Sequence, residues 1–172
     1  MIKILFICHG NICRSTMAES VLTHLVHQLH LDNQFEIDSA ATSREEIGNP
    51  PHYGTKNKLY EENIPLVPHR ARQMTRDDYL YFDYLIGMDS ANIRNMTRIV
   101  GGTDSQDKYT RCFHLRAMKT RRNLPGQGMW QIHGTLAILM KPMKMWLQDA
   151  KDSCIIYSRK GTFQKKSKFP GK

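Results

Sequence analysis

Long hydrophobic runs are absent from this chain of 172 residues. The most continuous apolar segment, residues 2–8, is far too short to cross a bilayer and lacks the flanks of a secretory signal. We therefore predict no membrane partner. The length suits one domain with a substantial core.

Cysteine is also scarce, with only Cys8, Cys13, Cys112 and Cys154. Their spacing is not that of metal ligands, and the set does not indicate a disulfide framework. We predict a reduced, cytoplasmic setting without metal or cofactor. Two interpretations of Cys13 stay open: it forms a reversible disulfide that protects Cys8 from overoxidation, or it is a small packed residue.

Acidic residues almost disappear after Lys108. Residues 109–172 contain 14 Lys and Arg but only two acids, for a net charge of +12, whereas residues 1–108 carry a net charge of −3. A basic tail ordinarily suggests a nucleic acid or an anionic membrane. We predict neither partner, because the codons indicate that a frameshift is the origin of this charge.

The most informative segment present is Cys8-His9-Gly10-Asn11-Ile12-Cys13-Arg14-Ser15. The β-branched apolar residues before it predict a buried strand over 2–8. Apolar residues at helical spacing after it predict a helix over about 15–30, with a hydroxyl N-cap. The loop amides therefore converge at a helix N-terminus, which favours a bound phosphate dianion.

This loop also contains a nucleophile. Gly10 lets the backbone approach a ligand closely, and Arg14 can offer a bidentate fork to phosphate oxygens. The same positive field favours the thiolate form of Cys8, which becomes a nucleophile beneath the phosphorus atom. The alternative is a chance pair of an inert cysteine and an arginine.

Residues 8–19 resemble the phosphate-binding loop of the low-molecular-weight protein tyrosine phosphatases, with Thr16 where that family usually has proline. The resemblance continues in order to about residue 108, through the segments 37–43, 48–51, 69–73 and 82–89. It implies Cys8 and Arg14 as catalytic residues. It implies that phosphate is bound by His9, Gly10, Asn11, Ile12, Cys13, Arg14 and Ser15.

The resemblance also assigns supporting residues. It implies that Ser15 donates to the Cys8 thiolate, and that Asn11, Ser43 and His69 brace the loop through hydrogen bonds. Plain alternatives are an N-cap for Ser15 and an ordinary packed or surface histidine for His69. Family members often have an aromatic residue on the cleft wall, and Glu45 occupies the nearest position here.

The remaining pattern predicts an α/β fold with three layers. Strands are expected over 35–39 and 84–88, helices over 55–63 and 90–98, and a short helix capped by Thr75. Ser90 is the expected cap of the helix over 90–98, and Gly101-Gly102 its stop. The family implies a four-stranded parallel sheet with helices on both faces. We expect the last strand and the last helix to be disrupted here.

That expectation rests on a missing dipeptide. The family places its general acid in a late Asp-Pro, which occurs nowhere in this chain. Reading the last base of each codon with the first two of the next is compatible with that dipeptide. Met129-Trp130-Gln131 forces Val-Ala, and the following codons allow Asp or Asn, then Pro, Ser or Thr, then Trp or Arg, so Asp-Pro-Trp is among the allowed readings. Each of the Met-Lys pairs at 140–141 and 143–144 forces glutamate.

We infer a frameshift near Lys108, with one base lost or two gained. Residues 1–108 then form the phosphatase domain, and residues 109–172 form an aberrant basic tail. The shift accounts for the basic charge, because acidic codons become Met-Lys. Apolar residues near Leu136 are expected to cover part of the core, and residues 160–172 to be disordered. The alternative is an authentic tail with its own role.

Several hypotheses about function follow. The first is a phosphatase acting on phosphotyrosine proteins or aryl phosphates through a cysteinyl-phosphate, impaired by the missing acid. An arsenate reductase of the same fold would need further cysteines, and none lies between Cys13 and Cys112. The others are a phosphate-binding remnant without turnover and a pseudogene product that does not fold stably. The sequence predicts no oligomeric state.

Overall fold

The fold is built on one parallel sheet of four strands. The structure is a computed structural model, and it describes residues 1–111. The spatial order of the strands is β2-β1-β3-β4, so β1 is flanked on both sides. The strands are β1 (Ile2–Cys8), β2 (Phe35–Ala41), β3 (Tyr84–Gly87) and β4 (Tyr109–Arg111). This confirms the predicted fold class.

Helices cover both faces of the sheet. They are α1 (Arg14–Gln28), α2 (Tyr53–Glu61), α3 (Arg76–Tyr81) and α4 (Ser90–Val100), with a 3-10 turn at Asp32–Gln34. Ile4 and Phe6 point into one apolar cluster with α1 and α2, whereas Leu5 and Ile7 point into a second cluster with α3 and α4. Because alternate side chains enter different cores, β1 reads as a continuous apolar run.

The helix ends mostly follow the predicted signals. Thr75 caps α3 and accepts from the amide of Asp78, and Gly101 ends α4 in the left-handed conformation at φ 79°. The predicted cap at Ser90 is wrong. Asp89 is the N-cap of α4, and its carboxylate accepts a hydrogen bond from the amide of Asn92.

The fourth strand is the main departure from the sequence-based expectation. We expected it to be disrupted, yet β4 forms a short parallel ladder in which Tyr109 lies opposite Leu85. A parallel ladder needs backbone groups more than particular side chains. The amide of Leu85 donates to the carbonyl of Lys108 at 3.0 Å, which sets the register. The last helix and the rest of the tail lie outside the described residues.

Tyr109, the first residue after the inferred frame break, places a polar group in a buried part of this strand. Its ring packs edge-on against Tyr79 at 5.4 Å. Its hydroxyl is buried without a hydrogen-bond partner in the described part of the chain. Burial, with the charge of Asp104, raises the pKa of Tyr109. The neighbouring reading frame allows only Ile or Val here, neither of which has a polar atom to bury.

We predict that Tyr109→Phe increases the free energy of unfolding by about 1 kcal/mol, because it removes a buried hydroxyl that has no partner among the described residues and keeps the ring. Tyr79→Phe is the matched control. The Tyr79 hydroxyl donates to Asp104 and accepts from the amide of Gln106, both at 2.9 Å, so its loss should destabilise the chain. Urea denaturation of the two variants measures this, and a destabilised Tyr109→Phe would contradict it.

Candidate active site

The candidate site lies at the carboxyl end of β1, where the chain passes from strand to helix. Cys8 is the last residue of β1, and α1 begins at Arg14. The amides of Thr42 and Ser43 donate to the carbonyls of Cys8 and His9, each at 2.9 Å. The loop between β1 and α1 is therefore fixed to the chain that leaves β2.

Cys8 is a free thiol, and its side chain is almost wholly buried at 3% exposure. Its Sγ lies 3.0 Å from Ser15 Oγ and accepts a hydrogen bond from the amide of Asn11 at 3.2 Å. Two polar groups of the loop therefore lie against the sulfur. Ser15 is not the cap of α1, because Cys13 is the N-cap and makes no side-chain capping bond. Cys13 is buried and disulfide-bonded, whereas Cys8 is free, so the predicted disulfide between Cys8 and Cys13 is not formed in this structure.

Asn11 holds the loop in shape. Its backbone adopts φ 56°, in the left-handed region that few residues other than glycine and asparagine accept. Its Nδ2 donates to Ser15 Oγ at 3.0 Å and to Ser39 Oγ at 2.8 Å. Its Oδ1 accepts from His69 Nε2 at 2.7 Å and from the amide of Arg72 at 3.1 Å. The buried amide thus uses its full bonding capacity.

Ser43 does not make the side-chain contact that the resemblance implied. Its hydroxyl is buried without a partner in the described part of the chain. Ser39, four residues earlier on β2, supplies the hydroxyl that Asn11 contacts. Ser43 still supports the loop, but through its backbone amide. His69 does lie against Asn11, where we expected it.

Behind the loop, Glu19 and His69 form a buried pair. Glu19 Oε2 accepts from Ser39 Oγ at 2.6 Å and lies 3.4 Å from His69 Nδ1. Burial raises the pKa of Glu19 to about 7, with a contribution from Asp38, although Ser39 and Arg72 oppose the shift. Burial likewise lowers the pKa of His69. Both shifts favour the uncharged form of each group relative to an exposed one.

Glu19, Asp38 and His69 bring ligand atoms within 4.8 Å of one another, a spacing that a metal ion could use. Asp38, however, already accepts from Arg72 Nη2 at 2.7 Å. A cation at this point would displace the guanidinium that also binds Asp78. The donor set is therefore better matched to its present hydrogen bonds than to a metal.

Arg14 lies at the far end of the loop, with 19% of its side chain exposed. Its Nη1 donates to Asp89 Oδ2 at 2.7 Å. Partial burial raises the pKa of Asp89. The hydrogen bond from Arg14 and the amides of Asn92 and Ala91 outweigh that effect, so its pKa falls below the ordinary value. Sequence reasoning missed Asp89; the available signal was its position at the carboxyl end of a strand next to β1.

The mouth of the site is polar where the family often has an aromatic residue. His9 is exposed, and its Nε2 lies 3.2 Å from Glu45 Oε2. A Cβ at Gly10 would meet Glu46 Cγ at 3.1 Å, so the loop fits closely against this wall. On the other side, the amide of His52, the N-cap of α2, donates to the carbonyl of Ile12 at 2.7 Å.

Comparison with known proteins gives one consistent result. A sequence model described as "low molecular weight phosphotyrosine protein phosphatase" matches residues 3–125. A relative of that name from Homo sapiens is 45% identical over 96 residues, which cover 56% of this chain and 60% of the relative. One from Dictyostelium discoideum is 40% identical over 121 residues, covering 62% and 66%.

Solved structures of low molecular weight phosphatases resemble this chain as well. The crystal structure of YfkJ from Bacillus subtilis has a TM-score of 0.66 and 30% identity, covering 93% of this chain and 98% of that one. SP-PTP from Streptococcus pyogenes, a low molecular weight protein tyrosine phosphatase, has a TM-score of 0.62 and 32% identity, covering 86% and 92%. The chain spans about 60% of the length of several curated relatives it matches. Among residues 1–111, no helix is long and apolar enough to cross a membrane.

Proposed function

Because the chain belongs to the low-molecular-weight phosphotyrosine protein phosphatase family, we propose that it hydrolyses phosphate esters of phenols, as phosphotyrosine in proteins or as small aryl phosphates. One observation carries the proposal. Cys8 is a free thiol whose sulfur accepts a hydrogen bond from the Asn11 amide and lies beside the Ser15 hydroxyl. The sulfur lies close to the N-terminus of the helix that begins with Arg14. That arrangement places a nucleophile and an anion-binding loop at one point.

The reaction has two steps. The Cys8 thiolate attacks phosphorus, the P–O bond to the phenol breaks, and the electron pair leaves with the phenolate oxygen. The loop amides and Arg14 stabilise charge on the three equatorial oxygens during the transfer. Water then attacks the cysteinyl-phosphate, and the S–P bond breaks with its electron pair returning to Cys8. The thiolate is released together with dihydrogen phosphate, which keeps both protons of the water. Ser15, 3.0 Å from the sulfur, stabilises the thiolate as it leaves.

Two carboxyl groups that lie beside the loop within residues 1–111 are unsuited to protonate the leaving oxygen. Asp89 is held ionised by Arg14, and Glu19 is buried behind the loop against Ser39 and His69. We propose that the acid was lost in the frameshift after Lys108. Loss of a general acid costs about 10²–10⁴-fold in rate, or about 3–5.5 kcal/mol.

The test is the dependence of rate on the leaving group. We predict measurable cleavage of p-nitrophenyl phosphate, because its phenolate departs without a proton, and little cleavage of phosphotyrosine or alkyl phosphates. The measurement is log kcat/KM against the leaving-group pKa for substituted phenyl phosphates. We expect a steep negative slope. A flat slope would show that another group donates the proton.

One alternative, a phosphate-binding remnant, has a distinct outcome in that assay. It would bind inorganic phosphate without cleaving any member of the series. An arsenate reductase would need a relay of cysteines, and only Cys8 and Cys13 lie within residues 1–111.

We propose the cytoplasm as the location, because a reactive Cys8 must stay reduced. We propose no nucleic-acid or membrane partner, because residues 1–108 carry a net charge of −3.

A further inference from the structure

We propose that Asp89 is a positioning residue that orients the Arg14 guanidinium toward the phosphoryl oxygens. The inference rests on the proposed function, because it assigns Arg14 to the phosphoryl group. Asp89 is not a catalytic residue in this account, since it contacts Arg14 and not the substrate.

Both carboxylate oxygens of Asp89 have a defined partner. Oδ1 accepts from the amide of Asn92 at 2.8 Å, and Oδ2 accepts from Arg14 Nη1 at 2.7 Å. The amide of Asp89 in turn donates to Asn92 Oδ1 at 3.2 Å, which completes a capping box. The carboxylate therefore cannot rotate away from Arg14 without losing the cap of α4.

The backbone beneath Asp89 is tied to the nucleophile strand. The amide of Met88 donates to the carbonyl of Ile7 at 3.1 Å, one residue before Cys8. The cap of α4 and the end of β1 are thus held at a fixed separation. Asp89 gives Arg14 an anchor that is rigid with respect to Cys8.

The contact leaves most of the guanidinium for a ligand. Among the described residues, the bond from Nη1 to Asp89 is the one hydrogen bond of the Arg14 guanidinium. Nη2 and Nε, which form a planar fork, stay available for two phosphate oxygens. Asp89 also partly neutralises a mostly buried cation before the ligand arrives. Preorganisation of this kind raises affinity and rate because less side-chain freedom is lost on binding.

The experiment compares three single variants. Asp89→Ser keeps a good N-cap for α4 but is too short to reach Arg14. Asp89→Asn removes the charge and leaves a single acceptor oxygen, so it can accept from Arg14 or from the amide of Asn92 but not from both. Thr75→Ala, the matched control, removes the cap of α3 and touches nothing in the loop. Affinity for inorganic phosphate is measured by calorimetry, and kcat/KM with p-nitrophenyl phosphate.

We expect Asp89→Ser to lower kcat/KM by about 10- to 100-fold and phosphate affinity by about 5- to 10-fold, because a misplaced group near the reacting atoms costs up to about 10²-fold. Asp89→Asn should lose less than Asp89→Ser, because its carbonyl oxygen can still accept from Arg14, although without the strength of a charge-assisted bond. Thr75→Ala should lower the melting temperature without changing either quantity.

A double-mutant cycle separates positioning from a structural role. In an Arg14→Ala background, Asp89→Ser should change phosphate affinity by less than about 2-fold, since the group that it orients is gone. Equal losses in both backgrounds would overturn the proposal. A chain that binds phosphate but cleaves no ester would contradict the proposed function alone, and the affinity cycle would still decide the role of Asp89.

Discussion

Replacing Cys8 with serine is expected to abolish turnover of p-nitrophenyl phosphate, with a loss of about 10⁴-fold or more, the scale seen when a nucleophile is removed. A serine hydroxyl is far less acidic than a thiol, so the loop cannot hold it as an anion at neutral pH. Affinity for inorganic phosphate should change little, because the loop amides and Arg14 remain. The measurements are steady-state kinetics and phosphate calorimetry on the same protein.

Arg14→Lys is the contrasting variant. A lysine ammonium is a point charge and cannot reproduce the planar fork, so this variant should lose both turnover and phosphate affinity. The two substitutions together separate chemistry from binding. Turnover by Cys8→Ser would show that the nucleophile is wrongly assigned. Loss of phosphate affinity in Cys8→Ser, at an unchanged melting temperature, would place the sulfur in the binding site without a catalytic role.

The sequence predicted the features that depend on neighbouring residues. Residues 2–8 read as a strand because both faces of β1 are buried, and every second side chain meets a different helix layer. The loop was recognisable because Cys8, Asn11, Arg14 and Ser15 lie within one strand–loop–helix connection. The cap at Thr75 acts within four residues and was predicted correctly. The caps predicted at Ser15 and Ser90 were wrong, because Cys13 and Asp89 hold those positions.

Contacts between distant parts of the chain were harder to predict. Asn11 reaches Ser39 across 28 positions, and no periodicity distinguishes that hydroxyl from Ser43. Asp89 lies 75 positions from Arg14, and they meet only because β1 and β3 are neighbours in the sheet. β4 formed against expectation because backbone pairing tolerates almost any side chain. As a result, β4 contains Tyr109, whose buried hydroxyl has no hydrogen-bond partner in the described part of the chain.

Restoring the reading frame after Lys108, by adding one base, is expected to change both stability and activity. In the reading that the codons allow, the restored chain has an aliphatic residue at position 109, an Asp-Pro dipeptide and acidic residues in place of Met-Lys. An aliphatic side chain in β4 removes the unpaired Tyr109 hydroxyl from the second core cluster. The restored protein should therefore melt at a higher temperature than the present one.

Activity should rise most for poor leaving groups. The regained aspartic acid protonates the departing oxygen, so cleavage of unactivated phosphotyrosine should increase by about 10²–10⁴-fold. Cleavage of p-nitrophenyl phosphate should increase much less, because its phenolate is already a stable anion. The slope of log rate against leaving-group pKa should flatten accordingly.

A matched control separates the acid from the packing. In the restored chain, changing the aspartate of the Asp-Pro pair to asparagine keeps the tail but removes the proton donor. We expect this variant to retain the higher melting temperature and to show the steep leaving-group dependence of the present chain. Equal melting temperatures for the restored and present chains would mean that the present tail packs equally well, which would contradict the frameshift. A flat slope in the asparagine variant would instead show that the acid is a residue elsewhere.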